Sequence, residues 1–156
     1  MKIMAVDYGD ARTGLAVCDR TEFLASPIGT IEERNAQILA MKVAHMAEQY
    51  EVKEIVVGLP MNMNGSEGPR AQKCRAFAEM VECVTELPVV MWDERSTTVT
   101  AHQILNETNV RGGKRKKVVD TVAAVIILEG YLDYRRKKKA SEATAAQDQA
   151  DGSDNS

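Results

Sequence analysis

The sequence has no apolar run long enough to span a bilayer, and its opening lacks the basic-then-apolar pattern of a secretory signal. Membrane-spanning and exported classes drop out on that reading, which leaves a cytoplasmic protein without a membrane partner as the expectation. Cysteine is scarce: Cys18, Cys74 and Cys83 are odd in number and have no zinc-like spacing to a histidine. A disulfide framework and a zinc module are therefore excluded, and reduced thiols are expected. There is no internal repeat. A net charge of -3 gives no general signal of nucleic-acid binding. What is present is ordinary globular material, 44% hydrophobic and 28% charged over 156 residues. That is enough for one domain with a full core and a tail.

The charge is unevenly spread. "RGGKRKK" (Arg111 to Lys117) and "RRKKK" (Arg135 to Lys139) flank one helix-like stretch, while several acids gather in the last twenty residues. A slightly acidic total can hide a positive face of this kind.

Hydrophobic periodicity predicts three strands first. "KIMAVDYG" alternates, "TGLAVCD" follows a tight corner, and a third strand falls around Ala25 to Ile31. In the corner "VDYGDARTG", Gly9 and Gly14 are expected to supply unusual backbone angles, with Asp7 and Asp10 bonding to the turn. "ERNAQILAMKVAHMAEQY" then carries Leu39, Val43, Met46 and Tyr50 at helical spacing, with His45 off that stripe. "KEIVVGLP" reads as a buried strand. "GPRAQKCRAFAEMVECVTEL" reads as a helix with Pro69 in its first turn and Ala71, Cys74, Ala78, Val81 and Cys83 or Val84 inward. "LPVVMWDE" is a further strand, "STTVTAHQILNE" a helix capped by Ser96, and "VVDTVAAVIILEGYLDYRRKK" the last helix. Strands joined through helices pair in parallel, whereas the first three form an antiparallel meander. The expected fold is α/β, a mixed five-stranded sheet of three antiparallel strands and then parallel additions, with helices on both faces. Residues 1–139 form the domain. Residues 140–156 have no large apolar side chain and are expected to be a disordered tail.

Sites in open sheets collect beyond the carboxyl ends of the parallel strands. Asp7 ends the first strand, "GLPMNMNGSEGP" follows the fourth, "WDERST" ends the fifth, and Asp120 lies near the start of the last helix. Convergent carboxylates repel unless a cation lies between them, and oxygen-only ligands favour Mg2+ or Mn2+ over zinc. Together with nearby basic residues, this pattern points to two-metal phosphodiester hydrolysis. Side-chain alternation puts Asp93 with Val89 and Met91, and Glu94 with Val90 and Trp92, so one acid of the pair is expected to join Asp7. Glu94, nearer the strand exit and longer, is the expected ligand, with Asp93 bracing the turn or replacing it. Arg12, Arg70, Lys73, Arg95 and the Lys114, Arg115, Lys116, Lys117 cluster are the candidate phosphate contacts; Arg70 and Lys73 lie near a helix N-terminus.

Four stretches in order, "VDYGDARTGLAVCD", "IVVGLPMNMNGSEGPRA", "WDERSTTVTA" and "VVDTVAAVIILEGYLD", resemble the YqgF/RuvX family, RNase H-like relatives of the Holliday-junction resolvases. The resemblance spans roughly Met1 to Lys139. It implies an RNase H-like fold and a nuclease acting on the 5′ end of the small-subunit ribosomal RNA precursor. Ribosomal particles would be partners, and branched DNA an alternative substrate. The family's acidic positions fall on Asp7, the "DER" acid and Asp120. One departure stands out: "VVDTVAAV" offers one carboxylate where the resolvases proper present two, a turn apart, so a second metal is less securely held. Two other readings compete. An actin- or Hsp70-like ATPase would need a second domain across a cleft. A non-catalytic RNA-binding assembly factor would keep the fold and bind RNA without Mg2+.

Overall fold

The computed structural model describes the backbone of residues 1–96 and 113–154, and the side chains of residues 1–95 and 122–144. Five strands form one sheet: β1 (Ile3–Asp7), β2 (Arg12–Cys18), β3 (Ala25–Glu32), β4 (Glu54–Leu59) and β5 (Val89–Asp93). Their order is β3-β2-β1-β4-β5. The β1–β2 and β2–β3 pairs are antiparallel, and β1–β4 and β4–β5 are parallel. This is the expected mixed sheet.

The helices follow from the sequence pattern. α1 (Ala36–Gln49) starts at Asn35, whose side chain accepts from the Ile38 N–H, and buries Leu39, Ala40, Val43 and Ala47. α2 (Pro69–Thr85) starts on its proline and buries Ala71, Cys74, Phe77, Ala78 and Val81. Phe77 is an inward residue absent from the expected stripe, and Cys83 and Val84 are exposed rather than buried. α3 (Gly113–Asp154) covers the opposite face. The helix expected at "STTVTAHQILNE" lies outside the described residues, as does the environment of Ser96.

Strand alternation divides the core into two layers. Met4, Val6, Leu15, Val17, Ile55 and Val57 pack beneath α1 and α2. Ile3, Ala5, Ala16, Cys18 and Val56 pack against Ala124, Ile127, Leu128, Tyr131 and Leu132 of α3. With both faces covered, β1 and β4 are almost wholly apolar, and each large side chain removed from water contributes roughly 1.5–3 kcal/mol.

α3 does not stop at Lys139. It continues through the segment expected to be disordered, to Asp154. Residues 136–144 are exposed, so helix propensity rather than packing supports this extension; "KASEATAAQDQA" is rich in alanine. The outermost tertiary contact described on α3 is Lys139 Nζ donating to Glu22 at 3.1 Å.

That contact belongs to an ionic cluster at the amino edge of the sheet. Glu22, only 8% exposed, accepts from Arg135, Lys139 and the Met1 amine. Glu54, equally buried, accepts from the Tyr131 hydroxyl at 3.1 Å and from Arg135 at 3.4 Å. Burial pushes the Glu22 carboxyl up, but the hydrogen bonds from Arg135, Lys139 and the amine outweigh it and hold it down to about 2. Among the described residues, no buried side-chain oxygen or nitrogen lacks a partner. No described helix is long and apolar enough to cross a membrane.

Candidate active site at the carboxyl edge of the sheet

β1, β4 and β5 run parallel and end together at Asp7, Leu59 and Asp93. The two core layers fix which face each terminal residue takes. Ile3 and Ala5 lie beneath α3, so Asp7, the next of that parity, points to the α3 face. Val90 and Trp92 also lie beneath α3, which assigns Glu94 to the same face, whereas Val89 and Met91 pack on the α1–α2 side and take Asp93 with them. Asp7 and Glu94 therefore share a face and Asp93 opposes them.

Gly58 makes their approach possible. It lies on β4, between β1 and β5, one step past the Val6–Val57 pair and directly paired with Trp92. A Cβ on Gly58 would stand 2.5 Å from Glu94 Oε1 and 2.5 Å from Ile127 Cδ1. Glu94 thus reaches across the bare strand, under α3, toward β1. The β1 and β5 backbones are about 10 Å apart across the sheet, and the glutamate chain narrows that gap. On the other flank, Asp7 pairs in register with Gly14, again a residue without a side chain.

Burial pushes the Glu94 carboxyl up, Asp93 adds to this, and the Arg70 guanidinium partly offsets it. The Cys74 thiol, buried beneath the same edge, is pushed up to about 11, first by burial and then by Glu94, Asp7 and Asp10, against Arg70. Cys74 thus marks a point within electrostatic reach of all three acids, and it stays protonated at neutral pH.

Asp93 has a different task. It accepts from Arg95 Nη2 at 2.7 Å, from Nε at 3.1 Å, and from the Arg95 backbone N–H at 2.9 Å. This fork closes the 3-10 turn Glu94–Ser96 and so aims Glu94. The outer end of the guanidinium reaches the Asn62 carbonyl at 3.5 Å, in the loop after β4. That loop bonds internally: Asn62 N–H to the Ser66 carbonyl at 2.9 Å, Gly65 N–H to the Asn62 carbonyl at 2.9 Å, and Ser66 hydroxyl to Asn64 at 2.6 Å. Arg95, expected as a phosphate contact, is engaged by Asp93 and by this loop.

The cations at the start of α2 meet Asp10. Arg70 Nη1 lies 3.4 Å and Lys73 Nζ 3.9 Å from its carboxylate. Arg70 also donates to the Tyr8 carbonyl and lies 5.7 Å over the Tyr8 ring, which stacks on Phe77. Asp10, expected to bond to the turn, is brought instead to these two cations. The turn itself is held by Thr13, whose hydroxyl accepts from the Gly9 N–H at 3.3 Å. Gly9 and Gly14 are not among the positive-φ residues. Gly9 is needed for space instead: a Cβ would lie 2.0 Å from the Arg12 carbonyl oxygen. Arg12 opens β2 opposite Glu32, two residues beyond Gly14 and of the same parity.

Two expected groups lie outside the described side chains: Asp120, and the cluster Lys114, Arg115, Lys116 and Lys117. Their backbone is helical. α3 runs antiparallel to β4, with Ile127 at Gly58 and Tyr131 at Glu54, so position 120 lies toward the carboxyl edge. Among the described residues, no three histidine, cysteine or acidic side chains form a metal-holding group. The described donors, Asp7 and Glu94, are all-oxygen and fit Mg2+ or Mn2+.

The fold and this edge define the class. Over 87% of the chain, the structure resembles Thermus thermophilus RuvC in complex with a Holliday junction substrate (TM-score 0.55, 14% identity, 96% of that chain). It likewise resembles the fowlpox virus Holliday junction resolvase (TM-score 0.54, 13% identity, 86% of this chain and 99% of that one). At such identities the likeness establishes the fold, the RNase H-like architecture of the resolvases. Sequence carries the assignment further: residues 1–134 match the family model described as RuvX, Holliday junction resolvase, and the chain belongs to that family. A relative from Halothermothrix orenii, named "Putative pre-16S rRNA nuclease", is 44% identical over 88% of this chain and 98% of its own length. One from Bacillus thuringiensis with the same name is 42% identical over 86% of this chain and 100% of its own.

Proposed function

We propose that the protein is a divalent-metal-dependent nuclease that hydrolyses phosphodiester bonds in structured nucleic acid. Its substrate on this reading is the 5′ end of pre-16S rRNA, in cytoplasmic ribosome biogenesis with pre-ribosomal particles as partners. The observation that carries the reading is the placement of Asp7 and Glu94 on one face of the sheet, facing each other across Gly58. The names of its relatives support the choice of substrate.

Asp7, Glu94 and Asp120 would hold Mg2+ or Mn2+. When bound there, such an ion supplies charge stabilisation of the phosphodiester and an acidified water. Glu94 is desolvated before substrate arrives, so its carboxylate gains more from a cation than a solvated one would. Arg70 and Lys73, at the start of α2, would receive the scissile-strand phosphate in exchange for Asp10. The Asp93–Arg95 fork fixes the turn that aims Glu94, which makes Arg95 a positioning residue in this reading.

Junction resolution is the second reading, favoured by the family's description. Against it stands Ala124, one turn after Asp120, fully buried against the sheet where a second helical acid would be needed. A single experiment decides. Purified protein is offered pre-16S rRNA fragments and a four-way DNA junction, with and without Mg2+ or Mn2+, beside an Asp7→Asn control. Metal-dependent cut RNA that the control does not produce is the expected result. RNA binding that ignores metal, without cleavage by either protein, would sink the nuclease reading in favour of an assembly factor.

A further inference from the structure

The stretch Arg135 to Lys139 has no place in the carboxyl-edge site. It lies at the opposite edge of the sheet, where Arg135 meets Glu54 at the start of β4. Its five cations divide there. Arg135 and Lys139, one helical turn apart, face inward to Glu22. Arg136, Lys137 and Lys138 are exposed. Asp133 takes part of the charge of two of them, at 4.0 Å from Arg136 and 3.0 Å from Lys137.

Beside them stands the loop between β2 and β3, which Asp19 organises. Its carboxylate accepts from the backbone N–H of Thr21 at 2.9 Å, of Phe23 at 3.1 Å and of Leu24 at 3.2 Å. Glu22 sits at φ 60, a left-handed backbone that costs a non-glycine residue energy, and its side chain is locked against α3. With that acid fixed inward, the next two side chains are thrown outward: Phe23 is 72% exposed and Leu24 60%. The Arg136 guanidinium lies 5.6 Å over the Phe23 ring. A lone exposed apolar residue needs no explanation. A pair of them, held on a strained and heavily bonded turn against the Arg136 guanidinium, does. An open aromatic face beside a guanidinium suits single-stranded nucleic acid, with base on ring and phosphate on cation.

We propose that Phe23, Leu24 and Arg136 form a second nucleic-acid contact, gripping a single-stranded segment of the substrate that is cut at the carboxyl edge. The nature of that substrate rests on the nuclease reading above. From position 120 to Arg136 the helix rises roughly 24 Å at 1.5 Å per residue. At about 3.4 Å per stacked nucleotide the contact lies about seven nucleotides from the cleavage edge. It raises affinity for long substrates and leaves the chemistry alone.

The test is fluorescence anisotropy in the Asp7→Asn background, so that binding is read without cleavage. The probes are labelled single-stranded RNAs of twenty and five nucleotides, and the partners are Phe23→Ala, Phe23→Trp and Arg136→Gln. Phe23→Ala should bind the twenty-mer about tenfold more weakly, within the range of one lost stacking contact. Phe23→Trp should restore it, and Arg136→Gln should lessen the salt dependence. Five-mer binding should be the same in all. The proposal is overturned if the twenty-mer binds Phe23→Ala or Arg136→Gln as tightly as the parent. It is equally overturned if vesicles of anionic lipid, and not RNA, respond to these substitutions. Failure of the Asp7-containing protein to cleave any substrate would count against the nuclease reading alone, since this comparison is of binding.

Discussion

Two glutamates, Glu22 and Glu94, sit at opposite edges of the same sheet beneath the same helix, and their surroundings drive them in opposite directions. Both lose water. At Glu22 burial is overcome by hydrogen bonds from two side-chain cations and an amine, and the carboxyl is held at about 2. At Glu94 burial dominates, Arg70 offsets only part of it, and Asp93 adds repulsion, so the carboxyl rises. The first acid is satisfied by the fold and serves stability. The second keeps a raised carboxyl, which a cation at that edge would lower.

The sharpest break of this comparison is Asp7→Asn, which should lower cleavage roughly 10³-fold, the several kcal/mol expected from a lost charge-stabilising ligand. Its melting temperature should stay close to the parent's, and a fully active variant would remove the carboxyl edge from consideration. Next comes Glu22→Gln, with the reverse profile. The Glu22 contribution is complete above the ordinary glutamate value of 4.5 and is lost as pH falls through about 2. It amounts to something on the order of 3 kcal/mol. Urea melts from pH 6 down to pH 2 should show the parent converging on the variant at the acid end, while cleavage per folded molecule is unchanged at neutral pH.

Gly58→Ala sharpens the carboxyl side, since the new methyl must displace both Glu94 and Ile127. Both are side-chain ends that can shift, so a stability loss of about 1–2 kcal/mol is expected. Cleavage should fall more than stability does, and equal losses would make Gly58 a packing residue only. The smallest effect belongs to Asp93→Asn, which weakens the fork on Arg95. A roughly tenfold drop in kcat with little change in affinity for RNA is expected of an aiming residue, whereas Glu94→Gln should lose the metal itself. Isothermal titration with Mn2+ separates them, and the assignment is reversed if Asp93→Asn loses the ion while Glu94→Gln keeps it.

The sequence made much of this legible. Alternation in "KIMAVDYG" and the short apolar run "KEIVVGLP" predict the strands, and the helix between them requires parallel pairing, which brings Asp7 and "WDERST" to one edge. Alternation also separated Asp93 from Glu94, but only within β5. Which of them joins Asp7 depends on which face each neighbouring strand gives to α3, and that is set by cross-strand packing no single strand encodes. The place of Gly58, which leaves room for Glu94, is not legible in the strand because it involves a residue thirty-six positions away. The "RRKKK" run read as uniform charge. Its division into inward Arg135 and Lys139 and three outward cations needed the position of Glu22, whose left-handed turn has no glycine to announce it. Absence of apolar periodicity in the tail speaks only to packing, and alanine-rich chain can be helical without packing.

The Glu22 clasp joins parts of the chain 113 and 117 residues apart. Contacts that close so long a loop form late in folding, after the local β1–β2–β3 meander has paired. The clasp should therefore be missing from the rate-limiting state of folding and present only in the finished molecule. Weakening it, as in Arg135→Gln, should steepen escape from the native state and leave the speed of its formation nearly untouched. In stopped-flow denaturant jumps this predicts an unfolding limb raised roughly tenfold or more and a refolding limb that superimposes on the parent's. A slowed refolding limb would show instead that α3 docks early and that the two edges of the sheet are assembled together.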